Sequence, residues 1–224
     1  VPDEKFQNLF KESKRYGYDV HCLNTTLDTG APSFAVVVID PSGKSPYFSL
    51  GAGCQADPAK ALHRALEEAW SVNYWLRPYP LYTLPEQYKP FNDPAIDQLV
   101  RLRLCANIEM AEYYQFFIEG ELRDFQETTF NYPQHLSSEK EELTFLVQRV
   151  ESMGRGYEVL YFQAQHHILD ELGYCSVKVI VPALTPLYLY ESGAPLGAPR
   201  LVDVPHKLGL KTTRKFYSIP HPFP

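Results

Sequence analysis

The 224-residue chain has no apolar run near the ~20 residues that span a bilayer, and no secretory leader. It also lacks an excess of basic charge. Lys and Arg number 21 against 27 Asp and Glu, a net charge of −6. Neither nucleic acid nor an anionic membrane surface is therefore an expected partner. Cys22, Cys54, Cys105 and Cys175 are widely spaced and form no C-x-x-C pair, which argues against zinc and a disulfide framework. A reducing cytoplasm is the simplest setting. There is no internal repeat, no low-complexity block, no G-x-S-x-G elbow and no cysteine-protease signature. The first residues, "VPDEKF", include no methionine, which reads as a removed start or a segment of something longer.

What is present is ordinary for a globular protein: 45% hydrophobic and 21% charged residues, in a chain long enough for a real core. Phe6, Leu9 and Phe10 at helical spacing predict an amphipathic helix over about 3–15. "YDVHCLN" and "SFAVVVID" read as strands, the second buried, joined by the shaped turn "TTLDTGAP". "PYFSLGAG" reads as a short strand entering a glycine-containing loop. Asp57 then makes a good N-cap, with Pro58 where its missing N–H is harmless.

A Pro/Tyr-rich connection precedes a long helix expected over about 94–118. Ser138 and Glu141 form a capping box for a helix through Val150. "GYEVLYFQA", "YCSVKVIVP" and "PLYLY" read as strands, and the last ~30 residues as irregular. The alternation gives one mixed α/β domain.

Chemistry concentrates on the helix after Asp57. Arg64, Glu67, Glu68 and Ser71 stand at i, i+3, i+4 and i+7 and share its polar face. One reading is a solvated face with an Arg64–Glu68 pair. The other is a cleft in which carboxylates hold Mg²⁺ and arginine forks onto phosphate oxygens. The "GAGC" segment would deliver the chain to that helix's N-terminus, a natural anion site. His166 and His167 are adjacent and cannot share a face, and the tyrosines at 79, 82, 88, 113 and 114 are expected in core or interface. The final "FYSIPHPFP" alternates Pro220, Pro222 and Pro224, a stiff extended arm that is either solvated or docked.

These pieces together resemble the YcaO-domain family. "GAGCQADPAKALHRALEEAW" is similar to the family's second glutamate-bearing helix. Asn24, Thr26, Asp28, Gly30 and Pro32 stand in its D-x-T-x-D-x-G-x-P register. "GRGYEVLYF", "VKVIVPALTPLYL" and "PRLVDVPHKLG" are similar to its closing strands. "PHPFP" matches the P-x-P-x-P ending of the branch that modifies ribosomal peptides. The likeness spans nearly the whole chain, least clearly from Trp75 to Leu136.

The resemblance implies the C-terminal half of a YcaO domain over 1–224, helices packed on a mixed β-sheet, with a proline-rich tail at about 216–224. It implies a cyclodehydratase making azolines, thiazole and oxazole precursors, from Cys, Ser or Thr of a precursor peptide. The side chain attacks the preceding carbonyl, ATP phosphorylates the resulting oxyanion, and phosphate leaves. ATP and Mg²⁺ are the implied cofactors, with Glu68 as Mg²⁺ ligand, Arg64 as phosphate contact and Glu67 as its neighbour. Ser71 stands where the family often has glutamine. Pro220, Pro222 and Pro224 would pass near the active site and help organise it, which favours the docked arm.

The implied partners are the precursor peptide, a leader-binding E1-like protein or domain, and a first half carrying an E-x-x-E-R helix, with a homodimer as a further option. Alone, the chain is expected to bind Mg-ATP weakly and catalyse nothing. The rival readings are a non-catalytic peptide-docking scaffold, and the thioamide- or amidine-forming chemistry of YcaO relatives.

Overall fold

The computed structural model describes residues 4–44, 46–130, 132–133, 136, 138–211 and 215–224. Residue 3, where the first helix was expected to begin, lies outside them. The chain divides into two compact units, Val1–Gln134 with Tyr188–Ala194 and Thr213–Pro224, and His135–Leu187 with Pro195–Thr212.

The larger unit is built on a three-stranded antiparallel sheet: β1 (Asp19–Asn24), β2 (Ser33–Ile39) and β3 (Phe48–Cys54), paired in that order. A mixed sheet was expected, but both connections are hairpin-length, and short links permit only antiparallel neighbours. β2 is the centre, with Val36, Val37 and Val38 fully buried, because both of its faces are covered. Even-numbered Phe34, Val36 and Val38 meet α1 (Glu4–Arg15) and α2 (Pro58–Leu76) through Phe6, Ala61, Leu62, Ala65, Leu66 and Ala69. Odd-numbered Val37 and Ile39, with Phe48 and Leu50 of β3, meet Leu104, Cys105, Met110 and Tyr114 on the other side. Strand alternation thus sorts one hydrophobic run into two cores.

α2 begins as its sequence dictates. The Asp57 side chain accepts from the Ala59 and Lys60 N–H groups, and Pro58 occupies the first helical position. The long helix expected over 94–118 is broken instead into α3 (Gln98–Cys105), a 3-10 turn (Ile108–Met110), α4 (Ala111–Tyr114) and a second 3-10 turn (Gln115–Ile118). Asn107 causes the first break: its backbone is extended and its side chain caps the Glu109 N–H while donating to the Tyr82 carbonyl at 3.2 Å.

The smaller unit holds α5 (Glu139–Glu151), capped by Ser138 as expected, the antiparallel hairpin β4 (Leu160–Ala164) and β5 (Ser176–Ile180), α6 (His167–Glu171) between its strands, and α7 (Arg200–Lys207). α7 falls where an irregular or strand-like ending was expected. Its prolines, Pro199 and Pro205, masked the pattern, yet Val204 is buried on its apolar side. "PLYLY" is likewise not a strand but runs irregularly into a 3-10 turn at Glu191–Gly193. The Tyr188 carbonyl and Glu191 N–H are engaged by Arg101 and by the Ile96 carbonyl, not by a sheet partner.

Candidate functional site

The glycines before α2 are not a loop. Gly51 and Gly53 lie inside β3, on the face that meets α2. A Cβ on Gly51 would stand 2.3 Å from the Ala69 nitrogen, and one on Gly53 would stand 2.1 Å from the Ala61 oxygen. Strand and helix backbones therefore touch, which only glycine permits. The expected anion site at the helix N-terminus is also corrected. The Asp57 carboxylate already takes the N–H groups a phosphate would use.

The close approach builds a different site. β3 is the edge of its sheet, and the Ala52 N–H that points outward from it donates to the Glu68 carboxylate. Along this edge runs an open groove of ≈ 740 Å³, lined by Arg64, Glu67, Glu68, Ser71 and Trp70 of α2, Leu9 of α1, and the β3 edge through Gln55. All four residues singled out on the polar face of α2 are thus brought together.

Their surroundings differ. Glu68 is half-buried and oriented by the backbone. Glu67 is exposed, 3.4 Å from His63 Nε2. Ser71 Oγ donates to the Glu67 carbonyl at 2.8 Å, a bond back into its own helix. Arg64 is exposed with no hydrogen bond or ion pair among the described residues, so its fork is free to receive an anion. Trp70, held by its Nε1 donating to buried Ser13 at 2.9 Å, closes the apolar end with Leu9.

The turn before β2 abuts the same end of the sheet. Asn24 Oδ1 accepts from the Thr26 N–H, the Thr26 hydroxyl accepts from the Ser33 N–H, and Gly30 adopts φ 76°. The Pro32 carbonyl then accepts from the Gln55 N–H, joining the turn to the groove lining.

The proline arm is docked, but elsewhere. Pro220 and Pro222 are buried, and Ile219 and Phe223 pack into the core on the sheet face away from α2. Tyr114 donates to the Pro220 carbonyl at 3.2 Å, Tyr88 to the Ser218 carbonyl at 3.0 Å, and Tyr217 to the Tyr113 carbonyl at 2.8 Å. Pro220, Pro222 and Pro224 therefore do not join the residues lining the α2 groove. Two further features were missed in the sequence: the Leu9/Trp70 wall, since Leu9 read only as part of an apolar stripe and Trp70 was given no role, and a buried Arg101–Glu191–His221 cluster. A signal for the latter existed, since Arg101 shares the buried face of α3 with Leu104 and Cys105, an odd place for a cation.

An edge strand whose glycines touch a helix backbone, with that helix's charged face left beside the edge, defines an α/β protein with a polar groove outside its sheet. The sequence of residues 1–185 matches the family model described as YcaO cyclodehydratase, ATP- and Mg²⁺-binding, and the chain belongs to the YcaO family. Its fold is similar to that of a heterocyclase solved in complex with substrate and cofactor, at 23% identity and TM-score 0.67 over 96% of this chain. It is also similar to the heterocyclase TruD, at 24% identity and TM-score 0.59 over 94% of this chain. The chain spans 26% of each of those proteins. No curated protein sequence matches it. No helix among the described residues is long and apolar enough to cross a membrane.

Proposed function

We propose that the chain is part of an ATP-dependent YcaO cyclodehydratase that forms azolines from Cys, Ser or Thr of a precursor peptide, and that the α2 groove is its contribution to the nucleotide site. The observation that carries this reading is the convergence of Arg64, Glu67 and Glu68 on one open groove, in a member of a family described as ATP- and Mg²⁺-binding. The residues fit such a ligand. Mg²⁺ beside a nucleotide takes one or two protein carboxylates and completes its shell with phosphates and water. Glu68, oriented by the Ala52 N–H, offers the first carboxylate and Glu67 a second, and Arg64 is free to fork onto phosphate oxygens. When bound, Mg²⁺ would supply charge neutralisation at the phosphates.

The chain's own residues then position and screen. An amide oxygen is a poor leaving group until phosphorylated, so the protein's task is orientation and charge compensation rather than covalent chemistry. Leu9 and Trp70 would exclude water from one end of the groove. The proline arm, stiffened by Pro220, Pro222 and Pro224, would present its carboxy terminus from the other face of the sheet.

A groove with a single polar wall is half a nucleotide site. The rest is assigned to further YcaO polypeptide, in keeping with matched structures about four times longer. The cytoplasm, a leader-binding E1-like partner and a dimer belong to the same proposal.

The test is Glu68→Gln in the intact protein. The expected result is loss of ATP-dependent removal of one water's mass from the peptide, with precursor binding retained. Wild-type turnover in that variant would favour a non-catalytic docking scaffold.

A further inference from the structure

Behind the sheet, away from the groove, the larger unit buries a set of polar groups that the proposed chemistry does not use. Arg101 of α3 and Glu191 of the 3-10 turn both have fully buried side chains, 3.8 Å apart at their nearest charged atoms. Arg101 Nη1 also lies 2.9 Å from the Tyr188 carbonyl and 2.7 Å from His221 Nε2. The Tyr188 ring completes the enclosure, with the guanidinium 5.3 Å over its face and the His221 ring edge-on at 4.6 Å. The Glu191 N–H donates to the Ile96 carbonyl at 3.1 Å, tying this turn to the approach of α3. Three segments far apart in sequence, near positions 101, 190 and 221, thus meet at one guanidinium.

The protons of this contact are fixed by chemistry. A guanidinium has donors only and keeps its charge in proteins. Nε2 of His221 must therefore accept, so the ring is neutral with its proton on Nδ1. Among the described residues Nδ1 is buried with no partner in hydrogen-bond geometry, and the Tyr188 backbone is the other polar group acting on the ring. Towards Arg101 the histidine serves as an acceptor, between two prolines that leave the backbone little freedom to rearrange.

We propose that Arg101 is the positioning residue of the proline arm, holding His221 as a neutral acceptor and clamping the arm to the Tyr188–Glu191 segment. The anchoring stands on the geometry above, and only its catalytic consequence rests on the cyclodehydratase reading. The charged and titratable groups facing His221 are Arg101 from α3 and Tyr188 from the segment before the turn, while Glu191, Asp97 and Tyr114 act on the Arg101 guanidinium behind it. Arg101 is the cation among them. A second positive charge on the imidazole would stand 2.7 Å from it, so protonation and the contact exclude one another.

The experiment uses the full 224-residue chain. Long-range ¹H–¹⁵N correlation of the imidazoles should show His221 as the Nδ1–H tautomer, neutral down to about pH 4. Chymotrypsin should spare the Tyr217–Ser218 bond in the wild type. His221→Leu, which removes the acceptor at similar bulk, should release the terminal peptide at least about tenfold faster. His221→Gln, whose carbonyl can accept from Arg101, should restore protection, a rescue that bulk alone does not give.

An Nε2–H tautomer with an ordinary pKa, or His221→Leu as resistant as wild type, would overturn the anchor whether or not Arg101 variants fold. In the intact protein, His221→Leu should lower turnover along with arm protection. Unchanged turnover with the arm released would sink the catalytic role of the arm and leave the anchor standing.

Discussion

The sharpest constraints in this chain belong to single residues. Gly51 and Gly53 were visible in the sequence as a G-x-G, and their role was misread, since a glycine pair says only that Cβ is intolerable, not why. Here the reason is backbone contact with α2, and it yields a contrast. Gly53→Ala would drive Cβ onto the Ala61 carbonyl, and neither partner is a side chain that can yield. The expected cost is at least about 3 kcal/mol, beyond ordinary overpacking, whereas Gly120→Ala, with nothing within 4 Å, should be close to neutral. Urea unfolding of the two variants reads the difference directly.

His221 supplies the pH dependence at the same scale. Burial and then the Arg101 charge hold it down from 6.5 to about 4. A depressed folded pKa means the contribution is complete above 6.5 and is lost as pH falls towards about 4. Its size is roughly 2–3 kcal/mol for such a shift, allowing for partial exposure. Glu191, raised by burial against the pull of Arg101, acts in the opposite sense, contributing at low pH and losing that contribution as pH rises. The difference between wild type and His221→Gln across pH 7 to 4 therefore isolates the histidine. Parallel stability curves for the two proteins would refute the assignment.

At the scale of elements, legibility followed how locally each element is determined. β1, β2, β3, α1, α2 and α5 were readable because their apolar period and their caps, Asp57 and Ser138, lie within a few residues of the elements they define. The polar face of α2 was readable for the same reason, since i, i+3, i+4 and i+7 are fixed by the helix alone. What failed was decided at a distance. Asn107 ends α3 because the Tyr82 carbonyl, twenty-five residues away in sequence, claims its amide. The "PLYLY" segment fails to become a strand because Arg101 takes the Tyr188 carbonyl and Ile96 the N–H of Glu191 just after it. The arm's location depends on a core formed by two other segments and could not be read from "PHPFP".

Asn107 carries a prediction of its own. It is buried, caps Glu109 and donates to Tyr82. Asn107→Ala should cost about 2 kcal/mol, one cap plus one stranded carbonyl. Asn107→Asp, which keeps the cap but not the donor, should recover only part of that loss in the same denaturant titration.

The whole molecule is uneven in a way that composition conceals. The larger unit has two cores on one sheet, while among the described residues of the smaller unit only Val150 and Val204 are buried hydrophobics. Its hairpin is exposed on both faces: Tyr161 at 75%, Phe162 at 68% and Val179 at 57%. A lone two-stranded ribbon is marginal in water, so nothing among the described residues of this unit fixes β4 and β5 as firmly as β2 is fixed. Hydrogen exchange on the 224-residue chain should show it. Amides of Val36–Val38 should open only with global unfolding, and those of the hairpin at least about a hundredfold faster. On the proposed reading, in which further YcaO polypeptide completes the domain, that polypeptide would cover the apolar faces, and the hairpin should then become protected while β2 changes little. Equal protection of both sheets in the isolated chain would mean that the hairpin is already covered, and concentration dependence of that protection would identify self-association as the cover.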